Sequence, residues 1–120
     1  NHASTFGGNP LACTAAITTL DIIQEENLIS NALEQGNFIR KSLQDRLNNL
    51  EHVTQIRGQG LMIGIELTKP CSTIVENALQ KGLLLNVTSD KVIRLLPPLI
   101  LTRNEAEKIV NILSILIEEF

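Results

Sequence analysis

The spacing of apolar residues switches from a helical to a strand period midway along this chain, and that switch limits the folds open to it. From Leu28 to Leu50 the apolar positions Leu28, Ala32, Ile39, Leu43, Leu47 and Leu50, with Gly36 among them, recur at steps of three and four. Glu34, Arg40, Lys41, Gln44, Asp45 and Asn48 occupy the opposite face, so the segment predicts an amphipathic surface helix. Gly36 stands inside its apolar stripe and costs roughly 1 kcal/mol against alanine in an ordinary helix. From Leu61 the step becomes two: Leu61, Ile63, Ile65 and Leu67 alternate with Met62, Gly64 and Glu66, the pattern of a strand with one buried face. A chain that switches period in this way must pack helix against sheet.

The remaining segments fit that layer. Asn9 offers a side-chain cap and Pro10 occupies the first helical position, opening an Ala- and Leu-rich helix that runs through Ile23 and is expected to be buried. Val53 to Arg57 is expected to pair with the strand from Leu61 through a turn at Arg57-Gly58-Gln59-Gly60. A short helix is predicted from Ile74 to Lys81, capped by Thr73 with Glu76 and stopped by Gly82. Leu83–Val87 and Val92–Leu96 read as two further strands, and Pro97-Pro98 forbids more ladder pairing. Thr102 and Glu105 form a capping box for a last helix, whose stripe is Ile109, Ile112, Leu113, Leu116, Ile117 and Phe120. The result is an α+β fold, a small and mostly antiparallel sheet covered by helices, with no repeat and no low-complexity segment.

Composition narrows the function. Of 120 residues 43% are apolar, enough for a core, but only 2% are aromatic and none is Trp or Tyr. The core must be aliphatic, and the chain lacks the stacking platforms on which bases, sugars and peptides are held. A net charge of −3 with scattered basic residues argues against nucleic acid and against an anionic membrane surface. No apolar run approaches the ~20 residues of a membrane span. Cys13 and Cys71 lack partner spacing and read as small buried apolar residues of a reduced, cytoplasmic protein. His2 and His52 have no Cys or His at metal-ligand spacing, so no metal site is expected. The first residue is Asn, already in loop chemistry, and the sequence is expected to be a piece of a longer protein.

Three places could carry chemistry. Ser4 and Thr5, beside Gly7-Gly8 and just before a helix, can donate to a phosphate or carboxylate, or can belong to an ordinary capped loop. Arg94 lies inside the apolar strand Val92-Ile93-Arg94-Leu95-Leu96 and alternates with Ile93 and Leu95. It is suited to bidentate capture of a carboxylate, or it reaches solvent from an edge strand. Arg57-Gly58-Gln59-Gly60-Leu61-Met62 reads as a tight turn.

Taken together, these segments resemble the class III aminotransferases, which are pyridoxal-phosphate enzymes of fold type I. His2-Ala3-Ser4-Thr5-Phe6-Gly7-Gly8-Asn9-Pro10-Leu11-Ala12 resembles that family's H-x-S-T-[FY]-G-G-N-P-L-[AG] segment, and Arg57-Gly58-Gln59-Gly60-Leu61-Met62 its R-G-x-G-L-[ML] turn. Gly82-Leu83-Leu84-Leu85 and Val92-Ile93-Arg94-Leu95-Leu96-Pro97-Pro98-Leu99 are similar to the two segments that follow in the family, and the order is kept along the whole chain. The latter, with Leu84-Leu85-Asn86-Val87-Thr88, looks most like the acetylornithine aminotransferases of arginine synthesis, while ornithine, succinylornithine and 4-aminobutyrate aminotransferases share much of the frame.

The resemblance implies roles. Residues 1–26 would be a cofactor-phosphate loop and an interdomain connector helix, and residues 27–120 the C-terminal small domain. Ser4 and Thr5 match the residues that bind the phosphate of pyridoxal 5'-phosphate across the interface of a homodimer. Arg94 matches the arginine that pairs with the substrate carboxylate, with N-acetylornithine and 2-oxoglutarate as the implied substrates. The family's Schiff-base lysine lies upstream of the H-x-S-T-F-G-G-N-P segment, and none of Lys41, Lys69, Lys81, Lys91 and Lys108 stands in its context. No catalytic residue is therefore expected in these 120 residues, and the chain alone is expected to be inactive. Two rivals remain: a free-standing α+β module that binds a small ligand, and a noncatalytic relative that dimerises with an active paralogue.

Overall fold

A computed structural model describes residues 3–120, and Asn1 and His2, the first residues of the opening motif, lie outside the described residues. The elements run α1 (Pro10–Glu25), α2 (Leu28–Leu47), β1 (Val53–Gln59), β2 (Met62–Leu67), α3 (Thr73–Gln80), β3 (Asn86–Thr88), β4 (Val92–Leu95) and α4 (Arg103–Glu118). This is the order expected from the sequence. The four strands form one sheet in the order β1-β2-β4-β3, and every neighbouring pair is antiparallel.

One face of the sheet is covered. Ile63, Ile65 and Leu67 of β2 and Ile93 and Leu95 of β4 join Ile39, Leu43 and Leu47 of α2 and Leu113 and Ile117 of α4 in a single core. Each of these ten side chains is at most 2% exposed, and burial of such a group stabilises by about 1.5–3 kcal/mol. The core is aliphatic, as the shortage of aromatics required. No helix among the described residues is long and apolar enough to cross a membrane.

Local chemistry accounts for most element ends. The Asn9 side chain accepts from the backbone N–H of Ala12 at 2.9 Å, with Pro10 in the first turn. The Thr102–Glu105 capping box is complete in both directions. Gly82 stops α3 with a φ of 77°, a conformation that favours glycine.

Five expectations are corrected. Thr73 does not cap α3: it is the first helical residue, and Ser72 precedes it without a side-chain cap bond. The N–H groups of Ile74 and Val75 instead find the backbone oxygens of Cys71 and Ser72. The first hairpin turns at Gly60-Leu61 alone, because Gly58 and Gln59 still pair with Ile63 and Met62. The strand expected from Leu83 begins only at Asn86, and α2 ends at Leu47 instead of Leu50. Finally, no residue of α1 is buried. That helix packs chiefly on α2 and leaves Leu11 81%, Leu20 66% and Ile17 59% exposed, so nothing in this chain supplies the burial its composition suits.

Candidate functional site on the open face of the sheet

The uncovered face of the sheet is where sequence and geometry meet. Pairing brings Arg57 of β1, Gly64 of β2, Arg94 of β4 and Asn86 of β3 into one row across all four strands. Partners in an antiparallel ladder share a face, so the row projects away from the core that Ile93 and Leu95 enter. The next row on that face holds Gln55, Glu66, Val92 and Thr88.

Arg94 occupies the middle of this surface. Its strand is flanked by β2 and β3, so the expectation of an edge-strand arginine is set aside. The side chain is exposed and, among the described residues, makes no hydrogen bond or ion pair. Gly64 beside it has no side chain to crowd the guanidinium, and a Cβ there would meet Val92 Cγ1 at 3.4 Å and Arg57 Cγ at 4.0 Å. A shallow concavity of about 280 Å³, lined by Arg57, Met62, Gly64, Thr88, Val92 and Arg94, opens on one side. A second, of about 190 Å³, has Leu84, Asn86, Arg94 and Leu96 on its walls. A strand flanked on both sides thus presents a guanidinium with no partner among the described residues between two hollows, one of them shared with Arg57, a setting fit for bidentate capture of a carboxylate.

The second arginine of the row is engaged. Arg57 Nη1 donates to Glu66 Oε2 at 2.5 Å and to Gln55 Oε1 at 2.8 Å. Neither Glu66 nor this pairing was visible in the sequence, because nine residues and a hairpin separate the partners; only the register of the turn brings them together. The same turn is held from behind by α2, where Arg40 donates to the carbonyl oxygens of Gly58 and Gly36.

Ser4 and Thr5 lie elsewhere. Their loop folds on itself: Gly7 N–H donates to the Ser4 carbonyl at 3.1 Å, and Asn9 Nδ2 to the Phe6 carbonyl at 2.8 Å. Gly8 takes a φ of 79°, which a β-carbon disfavours. Ser4 and Thr5 are exposed, and neither hydroxyl is used by the described residues. Two unengaged hydroxyl donors beside a helix start fit a phosphate group. The loop leads into α1, and neither hollow beside Arg94 has Ser4 or Thr5 on its walls.

The remaining candidates are structural. Cys71 is buried with Sγ 3.6 Å from the Asp90 carbonyl oxygen, and burial pushes its thiol up. Cys13, expected to be buried, is instead exposed, because no residue of α1 is buried. His52 Nε2 meets the Ile117 carbonyl at 2.7 Å and so ties the β1 entry to α4. All five lysines are exposed, and neither hollow beside Arg94 has one on its wall.

Comparison with known proteins gives the family. Residues 1–117 match the family described as aminotransferase class-III. The acetylornithine aminotransferase of Nitrosomonas europaea is 57% identical over 120 residues, which is 100% of this chain and 30% of that protein. Acetylornithine aminotransferase 1 of Bordetella bronchiseptica is 47% identical over the same span, again 30% of its length. Among solved structures, the acetylornithine aminotransferase of Elizabethkingia anophelis aligns with a TM-score of 0.86 at 38% identity, covering 100% of this chain and 33% of that one. The ornithine aminotransferase of Plasmodium yoelii aligns with a TM-score of 0.92 at 30% identity, covering 99% and 32%. The chain spans about a third of the length of these relatives. On the match over 117 residues and identity along its whole length, this chain belongs to the class III aminotransferase family.

Proposed function

We propose that these 120 residues are the C-terminal part of an acetylornithine aminotransferase, which transfers the δ-amino group of N-acetylornithine to 2-oxoglutarate in arginine biosynthesis. The observation that carries this reading is Arg94, an unpaired guanidinium fixed in a central strand between two hollows. Its role is to hold the substrate carboxylate and so to orient the carbon chain toward the reacting centre. Residues 1–26 form the phosphate loop and connector helix, and residues 27–120 the small domain.

Ser4 and Thr5 would hold the phosphate of pyridoxal 5'-phosphate in the neighbouring subunit of a homodimer. Neither residue lines the hollows beside Arg94. The cofactor supplies an electron sink through which an amino group passes between donor and acceptor. The lysine that carries it comes from outside these residues, in keeping with the surface positions of all five lysines here. We place the enzyme in the cytoplasm, in keeping with its two free cysteines.

The test is a donor comparison on the full-length, cofactor-loaded dimer with 2-oxoglutarate as acceptor. N-acetylornithine should give a kcat/KM well above that of ornithine, N-succinylornithine and 4-aminobutyrate. A different leading donor would move the protein to that branch of the family, and no transfer from any donor would remove the enzymatic reading. The 120-residue chain alone should yield no borohydride-trapped lysine with the cofactor.

A further inference from the structure

Two arginines share one row of the open face, and among the described residues Arg57 is paired while Arg94 is not. The Cα atoms of Arg57 and Arg94 are two strand spacings apart, about 10 Å, with Gly64 between them. Both side chains line the same concavity of about 280 Å³. Arg57 is neutralised by Glu66, which reaches it diagonally from the next row at 2.5 Å. Gln55 takes another of its bonds at 2.8 Å. Both members of the pair remain accessible, with side chains 45% and 40% exposed, so the pair stands on the wall of the hollow and not in the core.

We propose that Glu66 is a specificity-determining residue: by keeping Arg57 occupied, it leaves Arg94 as the single guanidinium this face offers to a carboxylate. The proposal rests on the assignment of Arg94 to carboxylate binding. Without Glu66 the hollow would carry two uncompensated positive charges. Its potential would then favour ligands with two carboxylates over ligands with one. With Glu66 present, a second carboxylate finds no free cation on this part of the wall and must be read elsewhere in the enzyme. The acid thus acts through Arg57, without touching the ligand itself.

The experiment compares the affinities of glutarate and butyrate for the cofactor-loaded full-length dimer by calorimetric titration. The proteins are the parent, Glu66→Gln, Arg57→Gln, the double variant, and Arg94→Ala. Glu66→Gln should raise the glutarate-to-butyrate affinity ratio roughly three- to ten-fold. The double variant should return the ratio to the parent value, because the cation released by the first change is then gone. Glu66→Asp should stay near the parent ratio if the shorter acid still reaches Arg57, and it keeps the comparison available should the glutamine variant fail to fold. An unchanged ratio in Glu66→Gln, or a raised ratio that persists in the double variant, would overturn the proposal. Arg94→Ala separates the two levels. If it leaves butyrate affinity intact, the carboxylate reading of Arg94 has failed. If it abolishes butyrate binding while Glu66→Gln changes nothing, only the role of Glu66 has failed.

Discussion

Gly36 of α2 lies so close to the hairpin turn that a β-carbon on it would sit 1.9 Å from the carbonyl oxygen of Gly60 and 2.5 Å from its carbonyl carbon. Helix and turn therefore touch backbone to backbone, and Gly36 has no room for a side chain. Replacing a helical glycine by alanine ordinarily stabilises by about 1 kcal/mol. Here the methyl group would meet an oxygen that belongs to the chain and cannot rotate away. Gly36→Ala is expected to destabilise, by about 1–3 kcal/mol net, read as a lowered midpoint in urea. A raised midpoint would mean that α2 slides on the sheet at no cost.

Arg94→Ala in the full-length enzyme should raise the KM for the amino-acid substrate strongly while the cofactor stays bound. Losing a bidentate carboxylate contact removes charge-assisted hydrogen bonds that substrate and transition state share. Steady-state kinetics together with the cofactor's absorbance separate this from loss of the cofactor. Arg94→Lys should recover only part of the loss, since a point charge cannot reproduce the planar fork. An unchanged KM would take Arg94 out of the carboxylate role.

The same pair of glycines shows what the sequence could and could not disclose. Period and capping chemistry are local, so the order of all eight elements, the Thr102–Glu105 box and the alternation of Ile93, Arg94 and Leu95 were legible in the residues themselves. Gly36 looked like a mild defect because its reason lies 24 positions away at Gly60. The partner of Arg57 was hidden for a similar cause, since moving the turn by one residue would have set another side chain in place of Glu66. At α3 the cap expected at Thr73 failed because that residue is already the first of the helix, and Ser72 before it makes no side-chain cap bond. For α1 the composition announced burial, yet the surface that would supply it is absent from these residues.

That uncovered helix makes a prediction for the 120-residue chain in isolation. Leu11, Ile17 and Leu20 on α1 and Ile29 and Leu33 on α2 are all more than half exposed. Apolar surface gathered in this way on two adjoining helices drives association. Sedimentation of the isolated chain should show a mass that rises with concentration, and Leu11→Ser with Leu20→Ser should lower it. A strictly monomeric species at high concentration would contradict this.

The capping box of α4 should make stability depend on acid. The Thr102 backbone N–H donates to Glu105 Oε2 at 2.8 Å, and Thr102 Oγ1 lies at the same distance. The backbone bond first, and the hydroxyl second, hold the Glu105 carboxyl below its ordinary value of 4.5. A carboxylate whose folded value is depressed stabilises the fold above its unfolded value, and that share is lost as pH falls through the folded value. Glu118 behaves in the same sense, because its hydrogen bond from Arg46 Nε at 2.7 Å also lowers it. Thermal midpoints should therefore fall as pH drops below about 4.5. Glu105→Gln keeps an acceptor for the Thr102 N–H but cannot titrate. The parent should be the more stable of the two near pH 7, and the gap should close as the pH approaches 3. A gap of constant size across that range would show that the box acts through geometry alone and that the charge on Glu105 contributes nothing.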